Sequence, residues 1–423
     1  MKIIAVGNID KFLKLVITNP SKKSKKITES IILDVKKNGD SAVLKYEKKF
    51  GGILKGTIKV SKHEISDAYS QVNKEQINAI KIAKKRLTKT ELTIKNKLKD
   101  FVIKTDGIIL KKLFIPLSSV GCYVPGSSAR YPSSLIMSAV PAKIAGVRRI
   151  VVVSPPNKNG NVDALTLVTA DICGIDEIYK IGGAQAIAAL SYGTDSIIPV
   201  DKIVGPGNIF VSTAKSLVSE DVGIDMVAGP TELGIIADSS ANPELISSDL
   251  ISQAEHSMDT FCFVLTTSEN VAKKIIDSLN QKIKNIKRKD IVKKSLEQNG
   301  FIAICDSDNK IIQLANKLAP EHLEIITKNP KSLASKITTA GLVLLGENTP
   351  SSASDYLLGS NHILPTNGFG KIRGSLSVLD FIKLGTEVES SKQALQKISK
   401  YMNVLCDSEG LPNHYEAVRS RLK

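Results

Sequence analysis

The chain has no tryptophan, and Phe, Tyr and Trp together make up 4% of its 423 residues. So few stacking surfaces leave no platform for single-stranded nucleic acid. Five cysteines (Cys122, Cys173, Cys262, Cys305, Cys406) are dispersed, with no C-x-x-C pair for zinc or redox exchange. That usage points to reduced thiols and a cytoplasmic protein. No apolar run reaches membrane-spanning length, and the short apolar start from Met1 to Val6 lacks a cleavage pattern, so no membrane partner is expected. Acidic residues are outnumbered, 42 Asp and Glu against 58 Lys and Arg, for a net charge of +16. The excess is mostly lysine before position 113 and between Lys273 and Lys294, in helix-like stretches with polar faces. It reads as solvated surface rather than a nucleic-acid track.

Hydrophobic periodicity organises what is present. Residues 1–18 read as a helical lead, and Asn19-Pro20-Ser21 as a linker. Helices over 28–37 and 41–50 end at Asn38-Gly39 and Gly51-Gly52. Ser61 with Glu64 has the form of a capping box, and Asp106-Gly107 between apolar runs signals a hairpin. From Val120 onward, short β runs alternate with amphipathic helices in two successive series, the second starting after Thr231. This predicts an α/β chain of two Rossmann-like lobes with parallel-rich sheets, extended by small helical N- and C-terminal segments. Ligands are then expected between the lobes, at the carboxyl ends of the strands.

Three glycine-rich loops follow predicted strands and precede predicted helices: Gly121 to Ser128, Gly182-Gly183-Ala184-Gln185, and Gly205-Pro206-Gly207-Asn208. None has the G-x-G-x-x-G form, but each could present backbone N–H groups to a phosphate or dinucleotide. Four of the five histidines (His256, His322, His362, His414) lie beside carboxylates or amides in the last two fifths of the chain. Gln253 and His256 share one helical face. Asp355, Asn361 and His362 lie in a long polar loop, a common location for functional residues. An oxygen from Gln253 or Asp355 with two imidazoles would suit Zn²⁺, though spacing does not choose which two. Glu321 beside His322, after Pro320, suits acid/base work.

In order along the chain, Tyr123-Val124-Pro125-Gly126, Tyr131-Pro132-Ser133-Ser134, Gly182-Gly183-Ala184-Gln185, Gly205-Pro206-Gly207-Asn208, Gly229-Pro230-Thr231-Glu232, Gln253-Ala254-Glu255-His256, Pro320-Glu321-His322, Asp355-Tyr356, Asn361-His362 and Glu409-Gly410-Leu411 resemble the histidinol dehydrogenase family. The resemblance runs from about residue 28 to the C-terminus. It implies NAD-linked, zinc-dependent, four-electron oxidation of L-histidinol to L-histidine through bound L-histidinaldehyde, ending histidine biosynthesis. It further implies a homodimer with shared active sites and a single zinc in each. Gln253, His256, Asp355 and His414 would hold zinc, with His414 reaching in from the partner subunit. Glu321 and His322 would be catalytic, and Tyr123, Gln185 and Asn208 would contact NAD. Thr231, Gln253, His256, Glu321, His322, Asp355, Tyr356, His362, Glu409 and His414 would surround the substrate. The domains implied are a helical extension (1–22), a zinc and catalytic α/β lobe (23–122 with 233–377), an NAD-binding α/β lobe (123–232) and a helical tail (378–423) serving the partner's site. Ser127, Ser128 and Ser354 depart from family glycines, which puts loop geometry in question.

Two other readings fit parts of the pattern. A zinc hydrolase would use the same metal-ligand types and a Glu-His pair, but leaves the glycine loops idle. A basic nucleic-acid binder would show steeply salt-dependent affinity.

Overall fold

The computed structural model describes residues 1–16, 23–50, 56–126 and 130–423. Gly51-Gly52, the linker at Asn19-Pro20-Ser21, and Ser127 and Ser128 lie outside them.

Two parallel sheets carry the structure. The first has the spatial order Glu177–Tyr179, Arg149–Val153, Ser119–Tyr123, Lys202–Val204, Gly223–Ile224. The second runs Lys2–Ala5, Phe301–Ile304, Phe261–Thr266, Glu232–Ala237, His322–Ile326, Leu342–Leu345. Setting aside the N-terminal strand, both follow one plan. The earliest strand is central, the next two extend to one side and the last two to the other, the doubly wound arrangement. Near-continuous apolar runs such as Val151, Val152 and Val153, or Cys262 to Leu265, are what strands buried on both faces require. The bilobal α/β architecture expected from the sequence is the one observed.

Local signals hold in detail. Ser61 Oγ accepts the Glu64 N–H at 3.2 Å while Glu64 Oε2 accepts the Ser61 N–H at 2.8 Å, closing the capping box. Asp106 (φ 49°) and Gly107 (φ 80°) turn Phe101–Thr105 back onto Ile108–Pro116. Gly39 (φ 52°, ψ −132°) breaks helix Lys23–Lys49 where two helices were expected.

Four expectations need correction. The N-terminal segment is not wholly helical, because Lys2–Ala5 pairs in parallel with Phe301–Ile304. Helix Ile9–Val16 then sets Phe12 edge-on against Phe301 at 5.2 Å, which places this segment with the second sheet. Residues 23–122 do not complete the catalytic lobe. Ile31, Val35 and Val43 of helix Lys23–Lys49 share a core with Ile187 and Leu190, and helices Lys62–Ala68 and Lys74–Lys95 pack on helices Pro132–Ala145 and Ala164–Cys173 over the opposite face of the same first sheet. The tail is not all helix either: Ile382–Ser390 joins Ile108–Pro116 in a three-stranded antiparallel sheet before helices Lys392–Ser408 and Pro412–Leu422.

The fourth correction concerns which strand ends carry the candidate residues of the second lobe. The chain leaves the carboxyl end of Gly223–Ile224 and enters the amino end of Glu232–Ala237 through residues 225–231 alone. So short a link turns the carboxyl ends of the first sheet toward the amino ends of the second. The candidate residues of the second lobe accordingly stand at strand starts.

Candidate active site

Strands Glu232–Ala237 and His322–Ile326 are neighbours, with His322 in register with Leu233. Their first residues therefore meet at one rim. Glu232 N–H donates to Glu321 Oε2 at 2.8 Å, and Glu321 N–H donates to Glu232 Oε2 at 3.1 Å, so each carboxyl holds the other's backbone. Glu232 Oε1 also accepts the Asn367 N–H at 2.8 Å, from a loop packed so closely that a Cβ on Gly229 would overlap the Asn367 side chain. Ala319, fully buried at φ 47°, turns the chain from helix Asp308–Leu318 into Pro320-Glu321-His322. A left-handed alanine costs roughly 1–2 kcal/mol, a strain characteristic of functional turns.

Hydrogen bonds fix the imidazoles. His322 Nδ1 lies 3.3 Å from the Glu232 carbonyl oxygen, which can only accept. Nδ1 therefore carries a hydrogen in either charge state, and Nε2 is the nitrogen at which the ring gains or loses a proton. That Nε2 is buried, has no hydrogen-bond partner among the described residues, and stands 3.4 Å from Asp355 Oδ1. His256 Nδ1 likewise donates to the Gln253 carbonyl at 3.0 Å, freeing its Nε2. His362 is held at both nitrogens, donating to the Asp355 carbonyl at 2.7 Å and accepting from Ser134 Oγ at 3.2 Å. Ser134, on helix Pro132–Ala145, ties the loop of His362 to the first lobe, whose core Ile363 also enters.

A relay links the remaining polar groups. Gln253 Nε2 donates to Thr231 Oγ1 at 2.6 Å, and Thr231 donates to Glu321 Oε2 at 2.6 Å. Burial pushes the Glu321 carboxyl up, against the opposing pull of His322, Thr231 and the Glu232 N–H. Burial alone would lower His322, but the Glu321 carboxylate and then Asp355 push it up to about 9. Asp355 goes down despite burial, because His322, His362 and His256 all act on it. Burial lowers His362 and pushes Glu232 up to about 8.

The donor set suits a borderline cation. Gln253 keeps its carbonyl oxygen, His256 its Nε2 and Asp355 its carboxylate, the last two in electrostatic contact. Among the described residues no three His, Cys, Asp or Glu side chains form a ready metal cluster. The set expected from the sequence takes only His256 and Asp355 of those types from one chain.

Other sequence candidates are placed differently. Tyr123 is buried with its hydroxyl accepting the Gly183 N–H at 3.1 Å. Gln185 is buried with Nε2 donating to Glu47 Oε1 at 2.8 Å, and Asn208 caps helix Ile209–Val218. All three flank the carboxyl rim of the first sheet, but these polar atoms serve the fold. Tyr356 is exposed beside Asp355. Glu409 caps helix Lys392–Ser408 and His414 lies exposed on Pro412–Leu422, helices that pack most closely on each other. Ser354 is buried and helical, its Oγ bonded to the Ser351 carbonyl at 2.7 Å, so no glycine is needed there. Sequence reasoning missed Glu232 and Ser134 as parts of the site. Both lay inside recognised motifs, and the only available signal was their position beside Thr231 and Tyr131.

Comparison with known proteins follows the same lines. A family model described as histidinol dehydrogenase matches residues 17–422. The histidinol dehydrogenase of Methanocaldococcus jannaschii is 44% identical, covering 93% of this chain and 91% of its own. That of Clostridium acetobutylicum is 42% identical, covering 100% and 99%. The crystal structure of histidinol dehydrogenase from Elizabethkingia anophelis superposes with a TM-score of 0.94 at 35% identity, covering 100% of this chain and 98% of that one. The chain belongs to the histidinol dehydrogenase family.

Proposed function

We propose that this protein oxidises L-histidinol to L-histidine in two NAD-linked steps through bound L-histidinaldehyde, as a cytoplasmic homodimer with zinc in each active site. The observation that carries this reading is the convergence of Thr231, Glu321, His322 and Asp355 at one buried rim, with an unpartnered imidazole nitrogen facing the carboxylate. Gln253, His256, Asp355 and His414 of the partner subunit would hold zinc. When bound, zinc would anchor the substrate's imidazole and amine and take up the charge of Asp355, and NAD would accept hydride in each half-reaction.

The chain's own groups manage the protons. In the first half, His322 in its neutral form takes the alcohol proton at Nε2 as the carbonyl forms; its opposite nitrogen stays tied to Glu232, which keeps the ring in the useful tautomer. In the second half, Glu321 takes a proton from water as its oxygen adds to the aldehyde carbon, and His322 returns its proton to the aldehyde oxygen. The resulting diol then loses hydride and a proton, the latter again to His322. Thr231 and the Glu232 N–H hold one oxygen of Glu321, leaving the other to meet water. Burial of the pair keeps a reactive aldehyde away from bulk solvent.

A dimer is favoured by apolar side chains left exposed on the antiparallel sheet and tail, including Val102, Val388, Tyr401, Val404 and Leu405. His414 and Glu409 belong to that same tail. The test mixes zinc-loaded protein with histidinol and excess NAD⁺. About two NADH per histidinol supports the proposal, whereas one or none overturns it.

A further inference from the structure

Behind the site a second pair of acids meets. Side chains alternate along His322–Ile326, so His322 and Glu324 share one face while Leu323 and Ile325 enter the core on the other. Glu324 is in register with Ile235, which packs with Ile246, Leu250 and Ala254, so its face is the one covered by helix Pro243–Ala254. It is 2% exposed, a depth at which an ionised carboxylate must be well partnered.

Its partners belong to the segments that carry the site. Glu324 Oε1 accepts the Ser351 N–H at 2.6 Å, in the first turn of the short helix Ser351–Ser354, whose next residue is Asp355. Oε2 is buried with no hydrogen-bond partner among the described residues, although the Ser351 hydroxyl also acts on this carboxyl. The Glu324 carboxyl is in hydrogen-bonding contact with the carboxyl of Asp249, one helical turn before Gln253. Two ionised carboxylates cannot hydrogen-bond, because neither has a donor. A proton between them supplies what Oε2 lacks, and burial, which raises both groups, keeps it there.

We propose that Asp249 and Glu324 share one proton and act as a positioning pair, locking together the strand of His322, the short helix leading to Asp355 and the helix of Gln253. Neither acid touches substrate in this role. The pair instead sets the spacing of the groups that do, where small displacements cost large factors in rate.

The inference rests on the proposed histidinol oxidation for its kinetic readout alone, and an infrared measurement decides the pair without turnover. Spectra of the wild type at neutral pH, minus those of Glu324→Gln and of Asp249→Asn, are expected to show the carbonyl stretch of a protonated carboxylic acid, lost in both variants. Absence of that band in either difference overturns the shared proton. Kinetically, the Glu324→Gln amide can donate to Asp249 and accept from Ser351, so kcat stays within about threefold, whereas Glu324→Leu lowers kcat at least about tenfold with a smaller change in KM. Equal damage in the two variants would overturn the positioning role. If the wild type fails to turn over histidinol, the functional proposal falls while the infrared result still stands or falls by itself.

Discussion

His322 Nε2 stands 3.4 Å from Asp355 Oδ1 while Nδ1 of the same ring is committed to the Glu232 carbonyl at 3.3 Å. One nitrogen is thus fixed by the backbone of a neighbouring strand and the other turned toward the Asp355 carboxylate. The same strand starts supply the donors that hold Glu321, so the two catalytic candidates are aimed by shared scaffolding.

Thr231 is the middle of the relay from Gln253 to Glu321. Thr231→Val keeps the shape and removes the hydroxyl, leaving the buried Gln253 amide without its acceptor and Glu321 Oε2 with the Glu232 N–H alone. The expected loss in kcat/KM is about tenfold to 100-fold, from roughly 1–3 kcal/mol, with Thr231→Ser close to wild type. Steady-state kinetics on both variants checks this, and unimpaired Thr231→Val would remove the relay from the mechanism.

Glu232 accepts two backbone N–H groups, one on each oxygen. Glu232→Gln would set an amide donor against one of them. Stability is expected to fall by about 1–3 kcal/mol in denaturant unfolding, and an unchanged midpoint would show that the clamp is dispensable.

Glu91 is buried on helix Lys74–Lys95 and accepts the Val378 N–H at 2.7 Å. Burial first, with Asp380 adding, pushes its carboxyl up to about 7 from an ordinary 4.5. Between those values the folded protein holds a proton that the unfolded chain has released, so stability from the protonated form is present below the lower value and lost as pH rises through the upper. Glu91→Gln, which can still accept from Val378, is expected to melt higher than wild type near pH ~8 and to converge with it toward pH ~4. Parallel curves across that window would contradict the assignment.

Zinc retention tests the proposed ligands separately from catalysis. His256→Asn is expected to keep only a small fraction of wild-type zinc after dialysis, and full content would take His256 out of the set. Subunits carrying His414→Asn, mixed with subunits carrying Glu321→Gln, should regain histidinol oxidation if the ligand is donated across the dimer. Verified heterodimers with no recovery would place the site within one chain.

Much of this architecture was legible because its signals are local. The Ser61 and Glu64 box, the Asp106-Gly107 turn and the Gly39 break each depend on residues within a few positions, and strand–helix alternation depends on period alone. Pairings over long separations were not legible. Lys2–Ala5 pairs with Phe301–Ile304, and Ile382–Ser390 with Ile108–Pro116, only through the tertiary arrangement of the intervening chain. The site divides in the same way. Its residue types announced themselves at Thr231, Gln253, Glu321, His322 and Asp355, but the clamp from Glu232 spans about ninety positions and leaves no local trace. Glycine loops suggested ligand contacts; there Gln185 Nε2 is bonded to Glu47 and Asn208 Oδ1 to a helix end, while Gln185 Oε1 has no partner among the described residues, details that spacing does not reveal.

Division of labour between Glu321 and His322 is the claim on which the mechanism turns, and separate assays of the two half-reactions in Glu321→Gln address it most directly. With histidinol as substrate, oxidation to the aldehyde should stay within about tenfold of wild type; with histidinaldehyde supplied, oxidation to histidine should slow by about 100-fold or more, because only that half requires water to be deprotonated. Equal slowing of both halves would contradict the assignment.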